Sequence, residues 1–394
     1  MHMKSIHSIL FRAAYAALTL ITSCSFAADT GSLVAPNTAV ITHNASLLKE
    51  SKTFVLGCDA GRFEVRIGVF AADNNKAQLA LEYRTPSPEI TQYAPDRAGS
   101  FALYVKAILA DVAAKFPISI THACIGAAGP TNAQRDFIDA PHAPFAVSAD
   151  AIKKETGLKT VLVVNDFETI DFAIEAIDPS QIITLLAGTP RAQGTKLIVG
   201  AGNGLGSGLM LWNEKQQRYM PSPLNYSFVD FAPQNELELA YNEHLKKVSN
   251  NAWGKVLGSG GGAVELYNFL HKPSESLYKH AAYQEIFDRR NTDPACKTTV
   301  DMYMKLYIRL MRNAAYAQAP YGGVYITNAI AEKNPELFKD PAFKAEFLNT
   351  GDLANTGNKY LFDYLQQLPV YLITSPDLKF YGAAQYGIAH MKYG

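Results

Sequence analysis

Cysteine is scarce in this chain of 394 residues. The four that occur, Cys24, Cys58, Cys124 and Cys296, lie far apart and form no Cys-x-x-Cys pair, which argues against a zinc site. Cys58 and Cys124 fall in apolar, strand-like runs and are expected as buried thiols. An excess of either charge is also missing, because 36 Lys and Arg oppose 36 Asp and Glu. Neither a basic face for nucleic acid nor an acidic tail is predicted, so a small molecule or a protein is the better expected partner. Beyond residue 30 no apolar run reaches the roughly 18–20 residues that span a membrane. Low-complexity segments and short-period repeats are absent too.

What is present starts with an unusual N-terminus. MHMKSIHSILFR carries Lys4 and Arg12, AAYAALTLITSC follows as an apolar or small run, and Ser25-Phe26-Ala27-Ala28 comes next. That is the order of a secretory signal, expected over residues 1–30. Ile21-Thr22-Ser23-Cys24 also has the form of a lipoprotein box. Export is the leading expectation, to a periplasmic location or to a lipid anchor at Cys24. A plain extension would leave the chain cytoplasmic. Residues 31–51 look like a polar linker without a clear period.

The remaining length suits two domains rather than one core. Thr53–Cys58 and Phe63–Phe70 are predicted to pair as strands across a tight turn at residues 59–62. Ser100–Phe116 has helical spacing, with Ser100 as N-cap. Ile118–Ile125 and Lys159–Val164 are strands, and Phe167–Ile177 is an amphipathic helix. Lys196–Gly200 runs into a glycine-rich loop, and Ser207–Trp212 starts a hairpin. Helices are predicted over Glu236–Lys247, Ala263–His271 and Thr298–Ala317. Gly323–Thr327 and Pro369–Thr374 are late strands, and Phe380–Met391 is a last helix. Strands alternating with helices in two successive halves give an α/β fold class.

Several loops can carry chemistry. Phosphate oxygens are held by backbone amides, which favours glycines at strand ends. Residues 200–206 supply Gly200, Gly202, Gly204 and Gly206 around Asn203, although a tight hairpin would use the same glycines. Asn165-Asp166 ends a strand at the start of a helix. A carboxylate there can accept a proton from a hydroxyl, or the pair can simply cap the helix. Gly260 and Gly262 precede another helix, whose N-terminus could face an anion or follow a mere turn. His142 sits in a loop between Pro141 and Pro144, where a histidine is ordinarily just solvated. The other histidines have no metal-ligand spacing, so no protein metal site is expected.

In this order the segments resemble the bacterial glucokinases, members of the actin-like sugar kinases. The matching pieces are Asp59-Ala60-Gly61-Arg62, Ala128-Gly129-Pro130, Asn165-Asp166-Phe167, Gly200 to Gly206, Val229-Asp230-Phe231-Ala232-Pro233, Leu257 to Gly262, Gly322-Gly323-Val324-Tyr325-Ile326 and Pro369 to Ile373. They run in one order over about 340 residues. The resemblance implies a two-domain, ribonuclease H-like α/β fold with an interdomain cleft. It implies a small domain over 52–165, a large domain over 166–377, and a C-terminal helix over 378–394 returning to the small one. It implies ATP with magnesium as donor and a hexose as acceptor, glucose giving glucose 6-phosphate, with a homodimer left open. Asp166 would be the general base. Asn165, His142, Asn225 and Phe228 would face the sugar. Asp59, Gly61, the 200–206 loop, Gly260, Gly262 and Gly323 would face the nucleotide.

The chain departs from the family pattern at several of these places. Asn225-Tyr226-Ser227-Phe228 stands where the family has Glu-Gly-Gly-His, and a further sugar-binding glutamate aligns near Gly254. Pro141-His142 replaces Thr-Asn, Arg62 and Phe63 replace Gly and Thr, and Thr327-Asn328-Ala329 replaces Ala-Gly-Gly. A second expectation therefore stands beside the kinase: an exported binding or interaction module that has lost catalysis.

Overall fold

The computed structural model describes residues 34–73, 76–141, 143–174, 177–202, 204–258, 261–272, 283–351 and 359–393. The expected signal segment, with Cys24, lies outside the described residues, as do His142, Asn203 and Gly260. Two mixed six-stranded sheets organise the rest. The first contains β1 (Ala39–Thr42), β2 (Phe54–Ala60), β3 (Glu64–Ala71), β4 (Gln78–Pro86), β5 (Ile120–Ala127) and β8 (Thr160–Asn165), in the order β1-β4-β3-β2-β5-β8. A small hairpin of β6 (Phe137–Ile138) and β7 (Val147–Ser148) lies between β5 and β8 in sequence. The second sheet contains β9 (Ile182–Leu186), β10 (Lys196–Ala201), β11 (Leu205–Asn213), β12 (Arg218–Leu224), β13 (Gly323–Thr327) and β14 (Val370–Ile373), in the order β12-β11-β10-β13-β14-β9.

In both sheets an antiparallel meander is followed by parallel strands reached through helices. β2 pairs antiparallel with β3 and parallel with β5; β10 pairs antiparallel with β11 and parallel with β13. The buried strands read as near-continuous β-branched runs, such as Val-Leu-Val-Val in β8, because both faces are covered. Helices α1 (Arg97–Lys115), α2 (Ala149–Thr156) and α3 (Asp166–Ile174) belong to the first half. Helices α4 (Glu236–Val248), α5 (Gly262–His271), α6 (Pro294–Gln318), α7 (Ala329–Lys333) and α8 (Leu378–Tyr393) follow. Among the described residues no helix is long and apolar enough to cross a membrane. Cys58, Cys124 and Cys296 are buried and form no disulfide among the described residues.

Three expectations are corrected. Residues 39–50 are not linker: β1 pairs with β4, and Val34 and Leu48 are buried in the core beneath it. A four-residue edge strand is too short to show a period. Asp59 and Ala60 are not turn residues, since they extend β2 opposite Arg66 and Val65. The turn is Gly61–Phe63. Ser100 does not cap α1. Asp96 does so, accepting from the Gly99 N–H, while the Ser100 hydroxyl donates to the Ile90 carbonyl.

Helix α8 ties the first sheet to α3. It lies on β2 and β5 and crosses α3, where Tyr386 stacks on Phe172 with ring centroids 4.1 Å apart. The crossing is close because residue 382 is glycine. A Cβ there would fall 1.8 Å from the Thr169 carbonyl oxygen. Gly382→Ala is expected to cost about 1–3 kcal/mol, the usual range for forced overpacking. Urea denaturation of the purified variant measures this, and an unchanged midpoint would contradict the tight crossing.

Candidate active site

The parallel strands β2, β5 and β8 end side by side. Asp59 pairs with Gly126, and Ala127 pairs with Asn165. Ligands of open α/β sheets bind outside the carboxyl ends of such strands. Asp166 is the first residue of α3 and stands at that edge. Asn165 takes the structural duties: its Oδ1 accepts the Phe167 N–H at 2.8 Å, and its Nδ2 donates to the Gly129 carbonyl at 2.9 Å. It thereby caps α3 and ties down the Ala128-Gly129-Pro130 loop. The capping expected of the Asn-Asp pair is thus made by Asn165, and the carboxylate of Asp166 takes no part in it. Glu168, one turn further on and buried, receives two hydrogen bonds from Nη2 of Arg135, at 2.8 and 3.0 Å.

Asp166 is paired. Lys379 Nζ, from the first turn of α8, donates to its Oδ2 at 2.6 Å. Their side chains keep 30% and 19% of their exposure. Burial alone would push the Lys379 proton off, but the carboxylates of Asp166, Asp59 and Glu332 outweigh it and hold the amine well above its ordinary value. Asp59 is lifted above the usual carboxyl range, by burial first and then by Asp166 and Glu64, with Lys379 and Arg66 opposing. Arg66 anchors the start of α8. It donates to Asp377 at 2.7 Å and to Glu82 at 2.7 Å, and its guanidinium lies 4.3 Å from the Phe380 ring centre.

Glu332, on α7, is pushed from 4.5 up to about 7, chiefly by burial. Between those values the folded state keeps a proton that the unfolded chain has released. Stability from this group therefore falls as pH rises from about 4.5 to 7 and is gone above that. Glu332→Gln is accordingly expected to be more stable than the parent at pH 8, with the difference closing by pH 5. Urea midpoints at the two pH values decide this; a gap that does not change with pH would refute it.

The alternating glycines form the turn of the β10–β11 hairpin, with Gly200 opposite Gly206 and the Gly202 N–H donating to Gly204 at 2.7 Å. Their absence of side chains has a packing reason. A Cβ on Gly206 would fall 2.1 Å from the Phe167 ring, and one on Gly200 would meet both Phe167 and Asn328. The hairpin is thus laid directly against the neighbour of Asp166. The Tyr307 hydroxyl fixes its other side by accepting the Ala201 N–H at 2.9 Å. Asn328 ends β13 at φ 76 and caps α7 through the Ala329 N–H. Asparagine tolerates that positive φ better than most residues.

Other predicted positions are more dispersed. Gly61 closes the β2–β3 turn through its N–H to Glu64, leaving Phe63 72% exposed at the tip. The Gly262 N–H is already bonded to the Gly258 carbonyl at 2.6 Å, the arrangement of a tight turn. Gly323, at φ +115, begins β13. Register places it opposite Lys196 rather than Gly200, so it sits about 13 Å along the strand from the glycine hairpin. Asn225 precedes a short helical turn, Tyr226–Phe228, on which Phe228 is 79% exposed. The loop that would carry His142 is gripped by Arg97, whose Nη2 donates to the carbonyls of Asp139, Ala140, Ala143 and Phe145.

The sequence reading missed Lys379, Glu332 and the Arg135–Glu168 pair. For Lys379 the available signal was a lone cation inside the otherwise uncharged stretch Leu378–Ala384.

The sequence profile of the family described as Glucokinase matches residues 69–390. The chain belongs to the glucokinase family. It is 28% identical over 342 residues to a glucokinase of Yersinia pestis, covering 85% of this chain and 96% of the relative. A glucokinase of Yersinia enterocolitica is 26% identical over 284 residues, covering 72% of this chain and 84% of the relative. Among solved structures, glucokinase from an Antarctic psychrotroph aligns with a TM-score of 0.69 at 19% identity, over 85% of this chain and 98% of that one. Glucokinase from Balamuthia mandrillaris in complex with glucose aligns at 0.68 and 14% identity, over 89% and 100%. At such identities the structures speak for the fold alone, and that fold is the α/β architecture of the actin-like sugar kinases.

Proposed function

We propose that this member of the glucokinase family transfers the γ-phosphoryl group of ATP to a hydroxyl of a hexose, glucose giving glucose 6-phosphate. The observation that carries the reading is the carboxylate of Asp166, held at the joined ends of β2, β5 and β8 and backed by the glycine hairpin. Asp166 accepts the hydroxyl proton while the sugar oxygen bonds to phosphorus and the bond to ADP breaks. Phosphoryl transfer of this kind rests on positioning and charge rather than covalent chemistry. In this reading Asp59 and the glycine hairpin would face the phosphates, and Asn165, Asn225 and Phe228 would face the sugar.

Magnesium fits the donor set at one point. Among the described residues no group of three His, Cys, Asp or Glu side chains is placed to hold a metal ion, but magnesium is commonly held by one or two carboxylates together with substrate phosphates. Asp59, which makes no side-chain hydrogen bond among the described residues, is the carboxylate available, and the ion would neutralise phosphate charge there.

The test is ADP release by purified protein with ATP, magnesium and a panel of hexoses. Sugar-dependent release supports the reading. No release with any hexose would overturn it in favour of a binding module on a kinase scaffold.

A further inference from the structure

Asp166 has two carboxylate oxygens in unlike settings. Oδ2 receives the Lys379 ammonium at 2.6 Å, and Oδ1 takes no hydrogen bond from the described residues. A general base needs one oxygen free, an ionised carboxylate and a fixed orientation. We propose that Lys379 is a positioning residue for the transfer reaction, pinning Oδ2 of Asp166 so that Oδ1 is presented to the sugar hydroxyl. The inference rests on the proposed kinase reading for its reaction, but not for the pairing itself.

Three features support it. First, the ammonium has its own framework: α8 is fixed by the Arg66–Asp377 and Arg66–Glu82 bonds and by the close crossing at Gly382. Lys379 thus enters from a second helix, fixed against the first sheet and against α3, and holds the carboxylate from outside its own helix. Second, it is surrounded by acids, namely Asp166, Asp59 and Glu332, so it stays charged throughout the working pH range. The further charges in this group are Arg66 and Glu64 around Asp59, and Lys333 and Asp377 around Glu332. Third, the pair is coupled to the proton transfer. When Asp166 takes the hydroxyl proton, the Lys379 charge loses its partner just as negative charge develops on the phosphoryl oxygens nearby.

The experiment compares the full-length protein with Lys379→Met, Lys379→Arg, Asp166→Asn and the double variant Asp166→Asn/Lys379→Met, using a hexose that the parent turns over. Lys379→Met is expected to lower kcat about tenfold to a hundredfold, the scale of a mispositioned catalytic group, with the KM for ATP little changed. The acid limb of its rate profile should move up, because a carboxylate deprived of an adjacent cation holds its proton more tightly. Lys379→Arg should restore most of both. In the Asp166→Asn background the second substitution should add nothing. An unmoved acid limb, or a loss that persists in that background together with a raised KM for ATP, would overturn the proposal in favour of a direct phosphate contact. Lys379→Gln replaces the methionine variant if that one does not fold. Should the parent turn over no hexose, the kinase reading fails while the pairing is still decided. The carbon-13 carboxyl signal of Asp166, identified by its loss in Asp166→Asn, should titrate at higher pH in Lys379→Met, and an identical midpoint would overturn the pairing.

Discussion

Asp166→Asn is expected to lower kcat for hexose phosphorylation by about 10²–10⁴-fold, the usual worth of a positioned base, while the KM for the sugar changes little. The amide preserves shape but cannot take up a proton. Two observations lead to this size of effect. The helix cap is made by Asn165, so replacing Asp166 does not release the start of α3. The Thr169 hydroxyl donates to the backbone carbonyl of residue 166, at 2.6 Å, and not to its side chain. Chemistry is lost at the base, and the structural cost is confined to its ion pair with Lys379. Steady-state kinetics beside a melting curve separates the two: a stable variant that keeps its kcat would remove Asp166 from the base role.

Glu238→Ala is expected to destabilise the fold by about 3–5 kcal/mol, the penalty for leaving a buried charge alone. Glu238 on α4 and Arg309 on α6 form a two-pronged pair, both contacts 2.6 Å, with side chains only 3% and 1% exposed. Burial would raise the Glu238 proton affinity, yet Arg309 and the Gln234 N–H together hold it below the ordinary range. The pair joins two helices of the second half, far in sequence from Asp166. A double replacement, Glu238→Leu with Arg309→Met, should recover most of the loss, since neither charge remains stranded. Denaturant titration of the single and double variants is the measurement. A single variant within about 0.5 kcal/mol of the parent, the usual span for surface changes, would show that the pair contributes nothing.

Much of the fold was legible because parallel strands buried on both faces carry unbroken β-branched runs. Gly323–Thr327 has the same bounds in sequence and structure, and β8 is shifted by one residue at each end. What was not legible depended on distant partners. β1 is four residues long and becomes a strand only because β4 lies beside it. Asp59 looked like a turn residue until its pairing with Arg66 was known. The glycines at 200–206 announced a close backbone approach, but not that the approaching groups are the Phe167 ring and Asn328. Lys379 meets Asp166 across 213 positions of sequence, and no local pattern encodes that meeting. Gly323, read from its motif as facing a nucleotide, has a positive φ and enters β13 at the end of the strand away from the hairpin, a placement the motif did not show.

The close approach of α3 to β11 bears on the electrical character of the whole molecule. Asp171, on α3, is fully buried with its carboxyl packed against Gly208, and neither oxygen has a hydrogen-bond partner among the described residues. Burial, with Glu168 nearby, raises its proton affinity far above that of an ordinary carboxyl. Burial thus favours the neutral form of Asp171 in the folded protein more than in the unfolded chain. The balance of 36 acidic and 36 basic side chains is therefore shifted by folding, so the isoelectric point is partly a property of the fold and not of composition alone.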